Sequence, residues 1–176
     1  MSPRSALSLL LALGLVTGCG TGASEPVQGR WWNWAYSGDE RTSPVRDTSG
    51  RFCARDQPRD VWFLAGTFGG TARRTCAVPQ ERPIVFPLVN LVAPVVQCRA
   101  FMTAAKGGAV LDGQPVTSEH LEDDVVVNRR RSHACGLWVR LHPLSPGTHT
   151  LTLQGSSGDF HTNVTYTLVV TPASRA

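Results

Sequence analysis

The sequence predicts an all-β fold: an antiparallel β-sandwich of about seven or eight strands with one short N-terminal helix. Three observations carry that expectation. Short apolar or alternating runs recur at roughly ten-residue spacing, too short for helices and suited to the strands of a sandwich. Gly, Pro and Asp punctuate them where the chain must reverse. Only one stretch places apolar residues at clear helical spacing.

That stretch is Arg30-Trp31-Trp32-Asn33-Trp34-Ala35-Tyr36-Ser37, in which Trp31, Trp34 and Ala35 fall at i, i+3 and i+4. Trp32 stands about 100° around the helix from Trp31, so the indoles cannot all point one way. Trp31, Trp32 and Trp34 are therefore the candidate ligand-binding residues, since an exposed indole stacks on a sugar ring or packs on a partner. The other placement is a helix capping an open end of the sandwich, with Trp31 and Trp34 in the core. Residues 38–51 are polar and turn-rich. Val61 to Ala65 is a β-rich run closed by Gly66-Thr67-Phe68-Gly69-Gly70. Beyond it, Arg73, Thr75 and Ala77 alternate with Arg74, Cys76 and Val78. Ile84 to Val89 is an apolar strand interrupted by Pro87, whose missing donor makes it an edge or a bulge. Asn90 suits a turn fixed by its side chain. Ala100 to Ala105 is compatible with a helical turn. Asp112-Gly113, between Ala109–Leu111 and Val116, signals a hairpin. Val125 to Val127, Leu137 to Leu141, Thr148 to Leu153 and Asn163 to Val170 complete the strands, the last two alternating cleanly.

Ahead of this domain stand Arg4, an apolar run from Ala6 to Val16, and Thr17-Gly18-Cys19, the layout of a secretory signal peptide. The run is about 11 residues, too short to span ~30 Å of hydrocarbon. Val16-Thr17-Gly18-Cys19 resembles the bacterial lipobox, which implies cleavage before Cys19 and a lipid thioether on its sulfur. Two or more acyl chains hold a protein firmly on a bilayer. The expected organisation is a lipoprotein signal peptide over 1–18, a lipidated cysteine with a small, polar tether over 19–29, and the sandwich over 30–172. The expected address is the extracytoplasmic face of the cell membrane.

The remaining cysteines, Cys53, Cys76, Cys98 and Cys135, read as two disulfides in an exported domain. Cys53–Cys76 and Cys98–Cys135 are favoured because both close local loops. Their spacings match no zinc module and no CxxC pair exists, so no metal is expected. Cleavage removes Arg4 and lowers the formal charge from +4 to +3, without the basic stripe of a nucleic-acid binder. Arg129-Arg130-Arg131 is the one basic block and reads as a solvated turn; anionic headgroups or wall polymers are its other reading. Glu119-His120 with Asp123 and Asp124 could ligate a cation, but a solvated acidic turn accounts for them. His149 lies on an expected strand. No Gly-x-Ser-x-Gly elbow occurs, no catalytic residue stands out, and no cofactor is implied. Arginine outnumbers lysine sixteen to one, with Lys106 alone, the skew of a GC-rich bacterial genome.

Several stretches together resemble a family of secreted bacterial lipoproteins of actinomycete type. They include Trp31-Trp32-Asn33-Trp34-Ala35, Val61 to Gly70 (VWFLAGTFGG), Arg74-Thr75-Cys76-Ala77-Val78-Pro79, Ile84 to Asn90, Leu137 to Leu141 and Val164-Thr165-Tyr166. The likeness spans nearly the whole expected mature chain, and VWFLAGTFGG is its most specific part. No activity attaches to the family, so the resemblance supplies no catalytic residue. The expected function is a noncatalytic binding or interaction module for a cell-envelope polymer or protein. The alternative is a hydrolase acting on envelope polysaccharide, which would gather titratable groups in one cleft. If Cys19 carries the lipid, Cys19→Ser should abolish metabolic palmitate labelling and leave the precursor uncleaved, which gel mobility and labelling read together.

Overall fold

A computed structural model describes residues 25–172. Cys19, the export segment and the tether up to residue 24 lie outside the described residues. The elements are α1 (Val27–Ala35), β1 (Trp62–Phe63), β2 (Gly70–Pro79), β3 (Ile84–Val92), α2 (Val95–Ala104), β4 (Lys106–Leu111), β5 (Gln114–Val116), β6 (Glu119–Val127), β7 (Arg130–Leu141), β8 (Gly147–Ser157) and β9 (Phe160–Thr171). They build the expected sandwich from nine strands, in sheets ordered β1-β3-β7-β6 and β2-β9-β8-β4-β5.

The sheets are mixed rather than wholly antiparallel. β1 runs parallel to β3, and β2 runs parallel to β9 along its full length. Hairpin geometry fixes antiparallel pairing only where a short turn joins the strands. β1 and β3 are separated by an excursion through the other sheet, and β2 and β9 by most of the domain, so neither pair is so constrained. Turn chemistry does set the hairpins. Asp112 and Gly113 join β4 to β5, and Asn128 and Arg129 join β6 to β7, each pair with both residues at positive φ.

Along β8 and β9 the period of two sends Leu151, Leu153, Val164, Tyr166, Leu168 and Val170 into the space between the sheets. Phe86, Leu88, Val139 and Leu141 meet them from the other side. Each such side chain contributes roughly 1.5–3 kcal/mol on burial. Disulfides Cys53–Cys76 and Cys98–Cys135 form as expected, the first fastening the 38–60 segment to β2 and the second fastening α2 to β7. Each constrains the unfolded chain by about 3–4 kcal/mol in the loop-entropy model.

α1 does not cap an open end. It lies against the outer face of the β1-β3-β7-β6 sheet, where Trp31, Trp32, Trp34 and Ala35 pack with Phe63, Val85, Val125, Val127, Ala134 and Trp138. That sheet is covered on both faces, giving three layers. The helix begins at Val27, so residues 27–29 are helical rather than tether. The Asn33 side chain donates to the Val126 carbonyl at 2.8 Å and accepts from the Asn128 N–H at 2.9 Å, closing part of the exposed β6 edge. A second helix, α2, occupies more chain than the turn expected at Ala100 to Ala105, starting after Pro94, which supplies no donor of its own. Among the described residues no helix is long and apolar enough to cross a membrane.

The alternation in β2 places Arg74 in phase with Cys76 and Val78, on the buried face, and its side chain is only 3% exposed. Among the described residues no carboxylate forms a direct ion pair with it, although its charge helps lower the Asp47 pKa. Its guanidinium donates instead to the carbonyls of Val45 (2.9 Å), Asp47 (2.6 Å), Ala65 (2.6 Å) and Gly66 (3.0 Å) and to the Tyr166 hydroxyl (2.8 Å). Buried cations are tolerated only when hydrogen-bonded in this way. Arg74→Met should cost about 3 kcal/mol or more in urea denaturation, because several carbonyls lose their donor. Arg74→Lys should recover little, since an ammonium lacks the planar fork, and the exposed control Arg73→Met should be near neutral.

Candidate functional site

β1 is only two residues long, and it flanks β3 at Ile84 and Val85 alone. The chain then turns at Ala65 and Gly66 and crosses to the other sheet, where β2 starts at Gly70. From Phe86 onward, β3 has no strand beside it on that side. Pro87 removes one donor from the open stretch, and the register with β7 shifts between Pro87 and Val89, making Leu88 a bulge. Gly155 accommodates the bulge: a Cβ there would stand 2.0 Å from the Leu88 carbonyl oxygen. The sequence expectation of an edge or a bulge at Pro87 is met in both respects.

A cavity of about 310 Å³ fills the gap. Its walls are Trp31, Trp32 and Tyr36 from α1, the Gly66–Phe68 crossover, Pro87 to Leu91 of β3, Phe101 of α2, and Val45, Phe160 and Thr162. Tyr36 and Phe68 are 45% and 48% exposed. The Thr67 and Thr162 hydroxyls are 2.9 Å apart and bond to each other.

The three candidate tryptophans are all buried, at 2%, 7% and 4% exposure, so they form no open stacking platform. The reason is the doubly covered sheet, which gives every indole of α1 an apolar surface to bury against. Their polar atoms nevertheless differ. Trp31 Nε1 donates to the Leu64 carbonyl at 2.9 Å, and Trp34 Nε1 donates to the Arg55 carbonyl at 2.8 Å. Trp32 Nε1 is buried without an acceptor among the described residues, as is Asn90 Nδ2, and both residues line the cavity. Trp62 Nε1, Trp138 Nε1 and Gln28 Oε1 also lack partners, but none of these residues lines it. The Trp32 ring stacks on Tyr36 at 5.3 Å and meets Trp31 edge-on at 5.1 Å. Asn90 fixes no turn; it sits inside β3, opposite Gly136.

The acidic run is not a turn either. Glu119 to Asp124 belongs to the edge strand β6, whose period of two sends His120, Glu122 and Asp124 to one face. There His133 of β7 meets Asp124 through Nδ1 at 2.8 Å and Glu122 through Nε2 at 2.9 Å. Hydrogen bonds to Asp124 and then Glu122 raise the His133 pKa above its ordinary value, and both ring nitrogens are engaged by carboxylates. Among the described residues no group of three or more His, Cys, Asp or Glu is arranged to hold a metal ion. Arg129, Arg130 and Arg131 are exposed at the β6–β7 turn.

Phe68 was within reach of sequence reasoning, as part of the VWFLAGTFGG block. Phe101 and Phe160 carried no signal, and Asn90 read only as a turn residue, because their place in the cavity wall depends on the bulge and the crossover. A scan against protein-family models finds no match to this chain, and neither does a search of curated proteins.

His149 also has both nitrogens engaged, with Asp112 at 2.6 Å and the Ser145 carbonyl at 2.9 Å, and so ties β8 to the β4–β5 turn. Asp112 raises the His149 pKa above its ordinary 6.5, and the His149 hydrogen bond holds the Asp112 carboxyl below its ordinary 3.8. The histidine's contribution is complete below 6.5 and is lost as pH rises through its raised folded value. The aspartate's contribution is complete above 3.8 and is lost as pH falls through its lowered folded value. The pair should therefore stabilise most between about pH 4 and 6.5. NMR titration should give a His149 midpoint above 6.5, returning towards that value in Asp112→Asn.

Proposed function

We propose that this protein is a noncatalytic binding module held on the extracytoplasmic face of a bacterial membrane by a lipid on Cys19. Its ligand, a component of the cell envelope, occupies the cavity beneath Trp32. The observation that carries this reading is the chemistry of the cavity wall. Its lining is mostly aromatic and aliphatic, with Thr67, Asn90 and Thr162 as polar side chains and no Asp, Glu, His, Lys, Arg or Cys among the described lining residues. Largely apolar concave sites with a few polar groups are the usual form of a small-ligand pocket.

The same wall argues against the hydrolase alternative. Glycan hydrolysis uses a pair of carboxylates, and acyl transfer uses a nucleophile with a base beside it. The wall offers the Tyr36 phenol, whose pKa burial raises, and two threonine hydroxyls bonded to each other. The titratable clusters at His133 and His149 have their ring nitrogens already engaged, and neither histidine lines this cavity.

The test is native mass spectrometry of the mature chain recovered from envelope membranes. The wild type should carry a noncovalent adduct of defined mass. Leu91→Trp, which narrows the cavity, should lose it. A wild type without adduct, or an adduct kept equally by Leu91→Trp, would sink the reading.

A further inference from the structure

We infer that the cavity takes a single acyl chain with an uncharged carbonyl head, such as an ester or amide of a medium-length fatty acid. This deepens the binding reading above and rests on it.

Three observations converge on that class. The first is wall chemistry. Most of the space is walled by aromatic or aliphatic side chains, and no charged residue lines it among the described residues. A sugar ring would bring several hydroxyls into a site whose threonines already bond each other, and hydroxyls left unpaired on burial cost affinity. A carboxylate or phosphate would enter without a cation among the lining residues to meet it. An aliphatic chain needs only the apolar contact that the wall supplies.

The second observation concerns the donors. Trp32 is nine-tenths buried, and its indole N–H has no acceptor among the described residues; the Asn90 amide nitrogen likewise lacks one. The other two indoles of α1 are both paired to carbonyls. Both nitrogens are covered in this structure, so an acceptor reaches them only where the half-exposed Tyr36 ring stacked on Trp32 moves aside; a ligand that brings an acceptor and no donors then completes them. A carbonyl oxygen is such an acceptor.

The third is size. The space is about 310 Å³, twice the ~150 Å³ of an apolar cavity that holds one benzene. That suits one chain of medium length and excludes a two-tailed lipid entirely within it. Tyr36 and Phe68 line the same space and are half exposed, so the head of the ligand can reach water beside them while its chain stays buried.

The experiment uses the full chain carrying Cys19→Ser, which takes no lipid. It is titrated in a calorimeter with 1-decanoylglycerol below its aggregation concentration. One-to-one binding is expected, with a negative heat-capacity change from apolar burial. Leu91→Trp should weaken it about tenfold or more. Trp32→Phe, which keeps the ring stack and deletes the N–H, should weaken it about threefold to tenfold. Both variants should retain the far-ultraviolet circular dichroism of the parent. Decanoate, with the same chain and a charged head, should bind more weakly than the ester. Absence of 1-decanoylglycerol binding overturns the inference, as does binding that Leu91→Trp leaves unchanged. Equal affinity of Trp32→Phe and parent overturns the role of the indole. If chitobiose binds instead, and Leu91→Trp abolishes it, the acyl assignment falls while the binding reading stands.

Discussion

Much of the domain is organised by one buried cation that is held by carbonyls rather than by a direct ion pair. Arg74 reaches from the inner face of β2 and donates to four carbonyls and a phenol. Those carbonyls belong to two irregular segments, residues 45–47 and the crossover at Ala65 and Gly66. Irregular backbone has no ladder to satisfy it, so its carbonyls need a donor from elsewhere. A guanidinium supplies up to five in a fixed fork. The segments are thereby held against the end of the sandwich, and with them the Val45, Gly66, Thr67 and Phe68 parts of the cavity wall. Tyr166 joins the same network, its hydroxyl donating to the Ala65 carbonyl at 2.8 Å and accepting the Ala65 N–H at 3.1 Å.

A second constraint is the doubly covered sheet. Its inner face belongs to the sandwich core and its outer face to α1. A strand buried on both sides cannot alternate polar with apolar, and β3 accordingly reads as a continuous apolar run from Ile84 to Val89. The same burial draws in the three α1 indoles. Two of them satisfy their N–H on nearby carbonyls, which locks the helix to Leu64 and Arg55. Trp32 lines the gap left where β1 ends, and its N–H meets no acceptor among the described residues. The proposed ligand site is thus a by-product of topology: a parallel neighbour too short to cover β3.

The two histidine arrangements show how a cluster of titratable groups can serve the fold. His133 spans two carboxylates across the β6–β7 pair, and His149 clamps a hairpin turn to the neighbouring strand. Each resembles a catalytic dyad in composition. Each also has both ring nitrogens occupied by protein atoms. A general base needs one nitrogen free and facing a substrate, so composition alone is a poor guide to such sites.

Much of the fold was legible from residues alone, because the information is local. The period of two in β8 and β9, Asp112-Gly113 at a hairpin, and the helical spacing of Trp31, Trp34 and Ala35 act within a few residues. The cysteine pairing was also accessible, because both bridges close loops of modest length. The acidic run in β6 was misread as a turn because an edge strand tolerates charge on its open face, which imitates a loop in composition. Three features waited for the tertiary structure. The parallel pairings depend on where distant segments dock, and no turn records that. The burial of Trp32 depends on α1 forming a third layer. The cavity depends on β1 stopping at Phe63, Leu88 bulging against Gly155, and Phe101 and Phe160 arriving from remote parts of the chain. Local patterning thus determined the elements and the staples, while the spaces between elements were decided only when nonlocal packing set which surfaces meet.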